Sequence, residues 1–268
     1  MPGAVLRGHP PGEALLLGSG RSHPRSTFDP RQLGGCTLWL RADAGVTLNG
    51  SDVSVWADQS DSGNDFVQAT ASKQPAFKAS GLNGHPSLTF DGITSLLENT
   101  VLKVSDMVGG GASRNLWTVF AVFDGWGVGA SVTYPNLFGT SQAANRWAPG
   151  GAFSTGTGAV GAAFYSTVLS TITDYSFGPG LGAPSITVSR HTGAVHKLRW
   201  NGVDGASPDT TGAGIFDDST GFGIGRAVPA GGYFSGDVPE LICFNRALTD
   251  GQVIGVERYL AARYGVSL

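Results

Sequence analysis

After Gly35 the sequence is a train of short runs rich in Val, Leu, Phe, Trp and Thr, each closed by Gly, Asn, Asp or Ser. That rhythm admits an all-β architecture of many strands joined by tight turns and little else. Strands are expected at 37–41, 53–58, 65–69, 87–90, 116–123, 136–138, 162–166, 185–189, 197–200, 221–225 and 236–244. The pairs Asn49-Gly50, Asn83-Gly84, Asp91-Gly92 and Asn201-Gly202 supply the left-handed conformations that tight turns require. With 41% apolar and 14% charged residues the chain has enough apolar surface for a core and too little charge for a disordered protein.

Individual runs say more. Trp117-Thr118-Val119-Phe120-Ala121-Val122-Phe123 is apolar on both faces, so it is expected in the middle of a sheet that is covered on both sides. His196-Lys197-Leu198-Arg199-Trp200 alternates, as does Ser185-Ile186-Thr187-Val188-Ser189. They are expected to pair as a hairpin around 190–195, each with one wet face. Only the end reads as a helix. Thr249 and Gln252 have capping-box spacing, Leu248 and Val253 can form a staple, Val253, Val256 and Leu260 make one apolar stripe, and Gly265 supplies the stop. This helix is expected to pack on the outside of a sheet.

Residues 1–35 are rich in Pro, Gly, Ser and Arg and show neither strand nor helix period, so they are expected to form an extended arm. Arg7, Arg21, Arg25 and Arg31 outnumber Glu13 and Asp29, which makes the arm basic. Its expected role is docking, on a capsid or tail protein or on a neighbouring subunit, with packing along its own domain as the alternative. The formal net charge of -3 provides no broad positive field for nucleic acid. No apolar run is long enough to span a bilayer or to serve as a signal-peptide core. Cys36 and Cys243 sit in apolar strands, as buried thiols of a reducing compartment do, although they come close if the first and last strands are neighbours.

Several blocks carry a resemblance. They are Leu38-Trp39-Leu40-Arg41-Ala42-Asp43, Val55-Trp56-Ala57-Asp58-Gln59-Ser60 with Gly63-Asn64-Asp65, Gly81-Leu82-Asn83-Gly84, and Leu88-Thr89-Phe90-Asp91-Gly92. Near the end, the run from Gly236 to Leu248 precedes the capped helix. In this order they resemble the laminin-G-like branch of the concanavalin A-like lectin and glucanase superfamily. The resemblance implies a jelly-roll β-sandwich of two antiparallel sheets over 36–268, of a kind found in phage virion proteins, bacterial surface proteins and carbohydrate-recognition modules. Trp39, Trp56 and Phe90 are then core residues, and Asp91-Gly92 and Asn83-Gly84 are turns.

The search for chemistry is mostly negative. The only glutamates are Glu13, Glu98, Glu240 and Glu257, and no segment holds the Glu-x-Asp-x-x-Glu strand of jelly-roll glycosidases. A polysaccharide lyase could draw on His191, His196, Arg190 and Arg199 around one hairpin, although such residues more often form solvated surface pairs. Calcium is the one metal suggested, through Asp209, Asp217 and Asp218. Glycan contacts are expected from Trp126, Tyr134, Asn145, Arg146, Trp147, Tyr165, Asp174 and Tyr175, aromatic and polar residues in Gly- and Ser-rich segments with no evident packing role. The chain is therefore expected to be a non-enzymatic binding or structural protein: a virion decoration, spike or fibre-associated component made in the host cytoplasm. It would belong to a homo-oligomer or larger assembly, with its sandwich facing outward and able to adhere to cell-surface polysaccharide. A free carbohydrate-binding module, or a protein of the cell surface, is the alternative.

Overall fold

The structure is a computed structural model that describes residues 28–111, 115–125, 135–142, 145–147, 183–205, 220–226, 228–229 and 232–268. In chain order the strands are β1 (Cys36–Arg41), β2 (Val46–Asn49), β3 (Asp52–Trp56), β4 (Phe66–Val67), β5 (Ala76–Lys78), β6 (Ser87–Asp91), β7 (Leu97–Lys103), β8 (Leu116–Asp124) and β9 (Pro135–Asn136). They continue as β10 (Phe138–Gln142), β11 (Asn145–Trp147), β12 (Ser185–Thr192), β13 (His196–Trp200), β14 (Val203–Asp204), β15 (Thr220–Ile224), β16 (Val228–Pro229), β17 (Gly232–Tyr233) and β18 (Ser235–Phe244). Two α-helices are described: a single turn, α1 (Val104–Met107), and the C-terminal α2 (Asp250–Tyr264).

Among the described residues, hydrogen bonding runs through 16 strands in the order β11-β10-β15-β7-β4-β3-β5-β6-β18-β8-β12-β13-β14, with β1 on β18, β2 on β3 and β16 on β10. The two layers expected from the resemblance are thus joined edge to edge. Leu38 and Leu40 of β1, Val119 and Ala121 of β8 and Leu241 of β18 share one core with Val53 and Trp56 of β3, Phe66 of β4, Phe138 of β10 and Phe222 of β15. Strands so far apart along the ladder can meet only if the sheet folds over on itself, and the architecture is an all-β sandwich. Two pairs, β10 with β16 and β9 with β17, are parallel, a departure from the all-antiparallel expectation.

The layer made of β1, β18, β8, β12 and β13 is covered twice. Its inward positions enter the core just described, while Trp39, Phe120, Val122, Ile186, Val188, Ile242 and Phe244 pack against Val253, Val256, Leu260 and Tyr264 of α2. Each large apolar side chain buried this way contributes about 1.5–3 kcal/mol. The helix has the expected ends: Gln252 N–H donates to Thr249 Oγ1 at 3.3 Å, Thr249 N–H donates to Gln252 Oε1 at 3.0 Å, and Gly265 closes it with φ +69°.

The described residues begin at Phe28, inside the segment read as an arm, and this part of it packs on the domain. The Phe28 ring lies 4.7 Å from that of Tyr259, and Arg246 Nη1 donates to the Leu33 carbonyl at 2.8 Å. Both cysteines are free. They occupy opposite faces of the sheet, Cys36 against the helix-side cluster and Cys243 in the inner core. Burial pushes the Cys36 thiol up to about 12.

Candidate functional site

The β12–β13 hairpin sorts its polar residues by face. Toward α2, Arg190 donates to the Leu248 carbonyl at 2.7 Å and pairs with Asp250. Arg199 grips the buried Glu257 carboxylate through Nε at 3.0 Å and Nη2 at 3.1 Å, and also pairs with Asp204. His191 and His196 point the other way, into the sandwich. The four residues grouped as a lyase cluster are therefore split by the sheet, with both arginines committed to the helix side. Arg190, His191 and His196 are all buried, so the reading of solvated surface pairs fails as well. The expected wet faces of this hairpin are instead covered, one by α2 and the other by the sandwich interior.

Inward, β12 presents Ser185, Thr187, Ser189 and His191 in successive positions, while β8 alongside presents Phe123, Ala121, Val119 and Trp117. Polar groups in a core need partners, and an unpaired hydroxyl there costs about 1–3 kcal/mol. Most of this row has them. Ser189 Oγ accepts from Trp117 Nε1 at 3.2 Å and lies 2.9 Å from His196 Nε2. His191 stacks on Trp117 with ring centroids 4.6 Å apart, and its Nδ1 stands 2.6 Å from the Asn115 carbonyl oxygen and 3.1 Å from the Gly193 N–H. Ser185 Oγ donates to the Ala183 carbonyl at 3.1 Å. The buried Thr187 Oγ1 has no hydrogen-bond partner among the described residues.

A second constellation lies at one corner of the fold. Strands β9 and β10 are separated only by Leu137; β17 pairs with β9, while β11 and β16 flank β10. Tyr233 of β17 is half-buried, and its ring and hydroxyl are both engaged by Arg226. The guanidinium carbon lies 4.8 Å from the ring centroid, and Nη1 donates to the hydroxyl oxygen at 3.0 Å. An isolated bridge between the two residues holds their backbones together, and Tyr233 is in register with Asn136. The result is a rigid aromatic platform with a cation and an amide-bearing residue beside it. Neither Arg226 nor Tyr233 was singled out from sequence. The signal was faint: the two lie in one Gly-rich segment and meet through an antiparallel bridge, while a parallel pairing sets Tyr233 beside Asn136.

Of the glycan candidates, Asn145, Arg146 and Trp147 form β11, in register with Gln142, Ser141 and Thr140 of β10, which puts them at this same corner. Trp126, Tyr134, Tyr165, Asp174 and Tyr175 lie outside the described residues, as do Arg7, Arg21 and Arg25 of the arm and the calcium candidates Asp209, Asp217 and Asp218. Arg31 is described. It pairs with Asp29 at 2.7 Å and lies 5.7 Å over the Trp39 ring, against its own domain. Among the described residues no group of three or more His, Cys, Asp or Glu is placed to hold a metal ion.

The carboxylates of the recognisable motifs serve structure. Glu240 is fully buried beneath α2 and accepts from Trp39 Nε1 at 2.8 Å, Tyr264 hydroxyl at 2.7 Å and Tyr259 hydroxyl at 3.2 Å. Desolvation holds its carboxyl above the usual range against these donors. Asp58 accepts from the backbone of Trp39, Ser60 and Asn64. Asp91 accepts from the backbone of Ile93, Thr94 and Ser95, and these bonds outweigh partial desolvation, so its carboxyl is held well below the usual range.

No protein-family model matches the sequence, and no curated protein is similar to it. Solved structures share its fold. Domain 4 of an extracellular GH43 arabinanase from Geobacillus stearothermophilus, in complex with arabinotriose, superposes with a TM-score of 0.56 and 16% identity over 83% of this chain and 98% of that domain. A Trypanosoma rangeli sialidase in complex with sialic acid gives 0.56 and 16% over 85% of this chain, which spans only 33% of the sialidase. An arabinofuranosidase complexed with arabinofuranosyl-alpha-1,2-xylobiose gives 0.56 and 15%, covering 80% of this chain and 51% of that one. At this identity the likeness is one of fold. It agrees with a sandwich of the kind the resemblance implied and does not reach the laminin-G-like branch. It also overturns the expectation of a non-enzymatic protein, because the fold is found here within glycosidases. The missing Glu-x-Asp-x-x-Glu strand removes one catalytic arrangement and not the enzymatic company of the fold.

Proposed function

We propose that this chain binds carbohydrate, at the corner formed by β9, β10, β11, β16 and β17. The observation that carries the reading is the Tyr233 ring, fixed by Arg226 through both its face and its hydroxyl. Sugars are held by aromatic rings against their C–H faces and by directional donors to their hydroxyls, and both work best when they lose little freedom on binding. The strand Asn145–Trp147, whose sequence carries an amide, a guanidinium and an indole, pairs with β10 at this corner. The structures of similar fold, with arabinotriose, sialic acid and an arabinofuranosyl-xylobiose bound, support a glycan as the ligand. The laminin-G-like affiliation of the motif blocks belongs to the same reading.

A glycan array probed with the full chain, with and without calcium, followed by titration with arabinotriose and sialic acid, tests this. Binding in the micromolar to millimolar range is expected, weakened about tenfold or more in Tyr233→Ala, the loss of about 1.4 kcal/mol expected for one stacking residue. A blank array, or full affinity in Tyr233→Ala, speaks against the site.

A virion role, with the leading segment as the docking element, is favoured by the arginines of that segment. Because Phe28 and Leu33 pack on the α2 side, a deletion should stop at residue 27. Loss of particle incorporation by a shortened chain that still folds is the expected result, and normal incorporation counts against the role.

A further inference from the structure

We propose that β2 is a docking edge for the β2 of a second copy of this chain, the two pairing antiparallel about a two-fold axis at Thr47. The inference is independent of the carbohydrate reading. Strand β2 pairs with β3 along one edge, and among the described residues no strand pairs with its other edge, where Thr47, Leu48 and Asn49 are exposed. Val53, opposite Leu48, gives its N–H to the Pro75 carbonyl at 2.8 Å, on the side of β3 where β5 lies. The Leu48–Val53 pair is therefore a non-hydrogen-bonded one, and Leu48 turns its own N–H and C=O away from β3. At the start of the strand Ala57 N–H donates to the Gly45 carbonyl at 2.8 Å, which by alternation leaves the N–H and C=O of Val46 facing outward too. Edges that stay single are guarded by Lys, Pro or an inward-pointing charge. This one is not: Gly45-Val46-Thr47-Leu48-Asn49-Gly50 holds no charged residue and no proline. Two such strands meet without repulsion.

The side chains fix the register. Val46 and Leu48 project to one face of β2, the face of the core. Val46 packs against that core, whereas Leu48 at its rim is 47% exposed. With the axis at Thr47, the outward groups of Val46 in each copy meet those of Leu48 in the other, and no other register within β2 satisfies both residues. The same register sets each Leu48 side chain against Val46 of the second copy and covers both. A second copy is the occupant this edge fits, because the strand is neutral and complementary to itself in its hydrogen bonds and its apolar side chains. So short a strand makes a small interface, and the association is weak and reversible.

Sedimentation velocity of the full chain over a concentration series tests this, with a reversible shift from one chain mass to two as the expected result. Leu48→Lys, which guards the edge with a charge, should weaken dimerisation about tenfold or more and melt as the wild type does at dilutions where both are single chains. Thr47→Cys, incubated with oxidised glutathione at dimer-forming concentration, should give a disulfide-linked dimer, since the facing Cβ atoms stand about 4.5–5.5 Å apart across the axis. Asn49→Cys, which faces Gly45 of the second copy, should not. A wild type that stays a single chain at every concentration overturns the proposal and leaves the edge to a strand of another protein. A dimer that Leu48→Lys leaves equally strong, or that links through Asn49→Cys and not through Thr47→Cys, uses another face or register and overturns it as well. Should Leu48→Lys fail to fold, the two cysteine variants decide the matter by themselves.

Discussion

At the scale of single residues, the buried Glu240 and the exposed, turn-capping Asp91 pull the pH response of the fold in opposite directions. Glu240 has its folded-state pKa raised by desolvation, so its contribution to stability is fully present below its unfolded value near 4.5 and is lost as pH rises through the folded value. Asp91 has its pKa depressed by backbone donors, so its contribution is present above about 3.8 and is lost as pH falls toward the folded value. Chemical denaturation between pH 3 and pH 8 should show Glu240→Gln gaining on the wild type as pH rises. A constant difference across that span contradicts the assignment. Asp91→Ala should cost about 1–2 kcal/mol at neutral pH, as loss of a multidentate turn cap does, and the difference should shrink at low pH. Such roles were only partly readable. The turn at Asp91-Gly92 is visible from its dipeptide, but nothing in the neighbourhood of Glu240 in the sequence announces that Trp39, Tyr259 and Tyr264 converge on it, because the three come from the first strand and the last helix.

At the scale of elements, α2 was readable to its caps because the capping box, the staple and the terminal glycine are local signals. The hairpin of β12 and β13 was readable as a hairpin, yet its wet faces were not wet. Alternation says that a strand has two unlike faces; it does not say that the polar one meets water. Here the charged face meets a helix that carries matching acids, with Glu257 held by Arg199 in a two-point contact. Removing one partner leaves a buried charge, so Arg199→Met should cost about 3–5 kcal/mol, whereas the double variant Arg199→Met with Glu257→Met should recover most of it. Urea denaturation of the four members of this cycle checks the prediction, and additive losses would show that the pair is not coupled. Strands β2, β5 and β7 were missed for a related reason. They are short or irregular, and β7 buries Asn99, whose side chain donates to the Asp65 carbonyl and interrupts the apolar period.

At the scale of the whole molecule, the sandwich was legible from the rhythm of runs and turns, while the candidate site was not. Its components, Arg226, Tyr233, Asn136 and the strand β11, acquire meaning only when β9, β10, β11 and β17 are set side by side. Along its length β18 has β8 on one side, and on the other it pairs with β6 through its first half and with β1 through its second. It is the stave that joins the two layers, and it is the last in sequence of the described strands. During synthesis neither β1 nor β8 can acquire its shared neighbour until residues beyond Phe244 have left the ribosome. Until then a nascent chain must carry the β18-facing flank of β8 uncovered, and the two layers cannot be joined before residues 235–244 arrive.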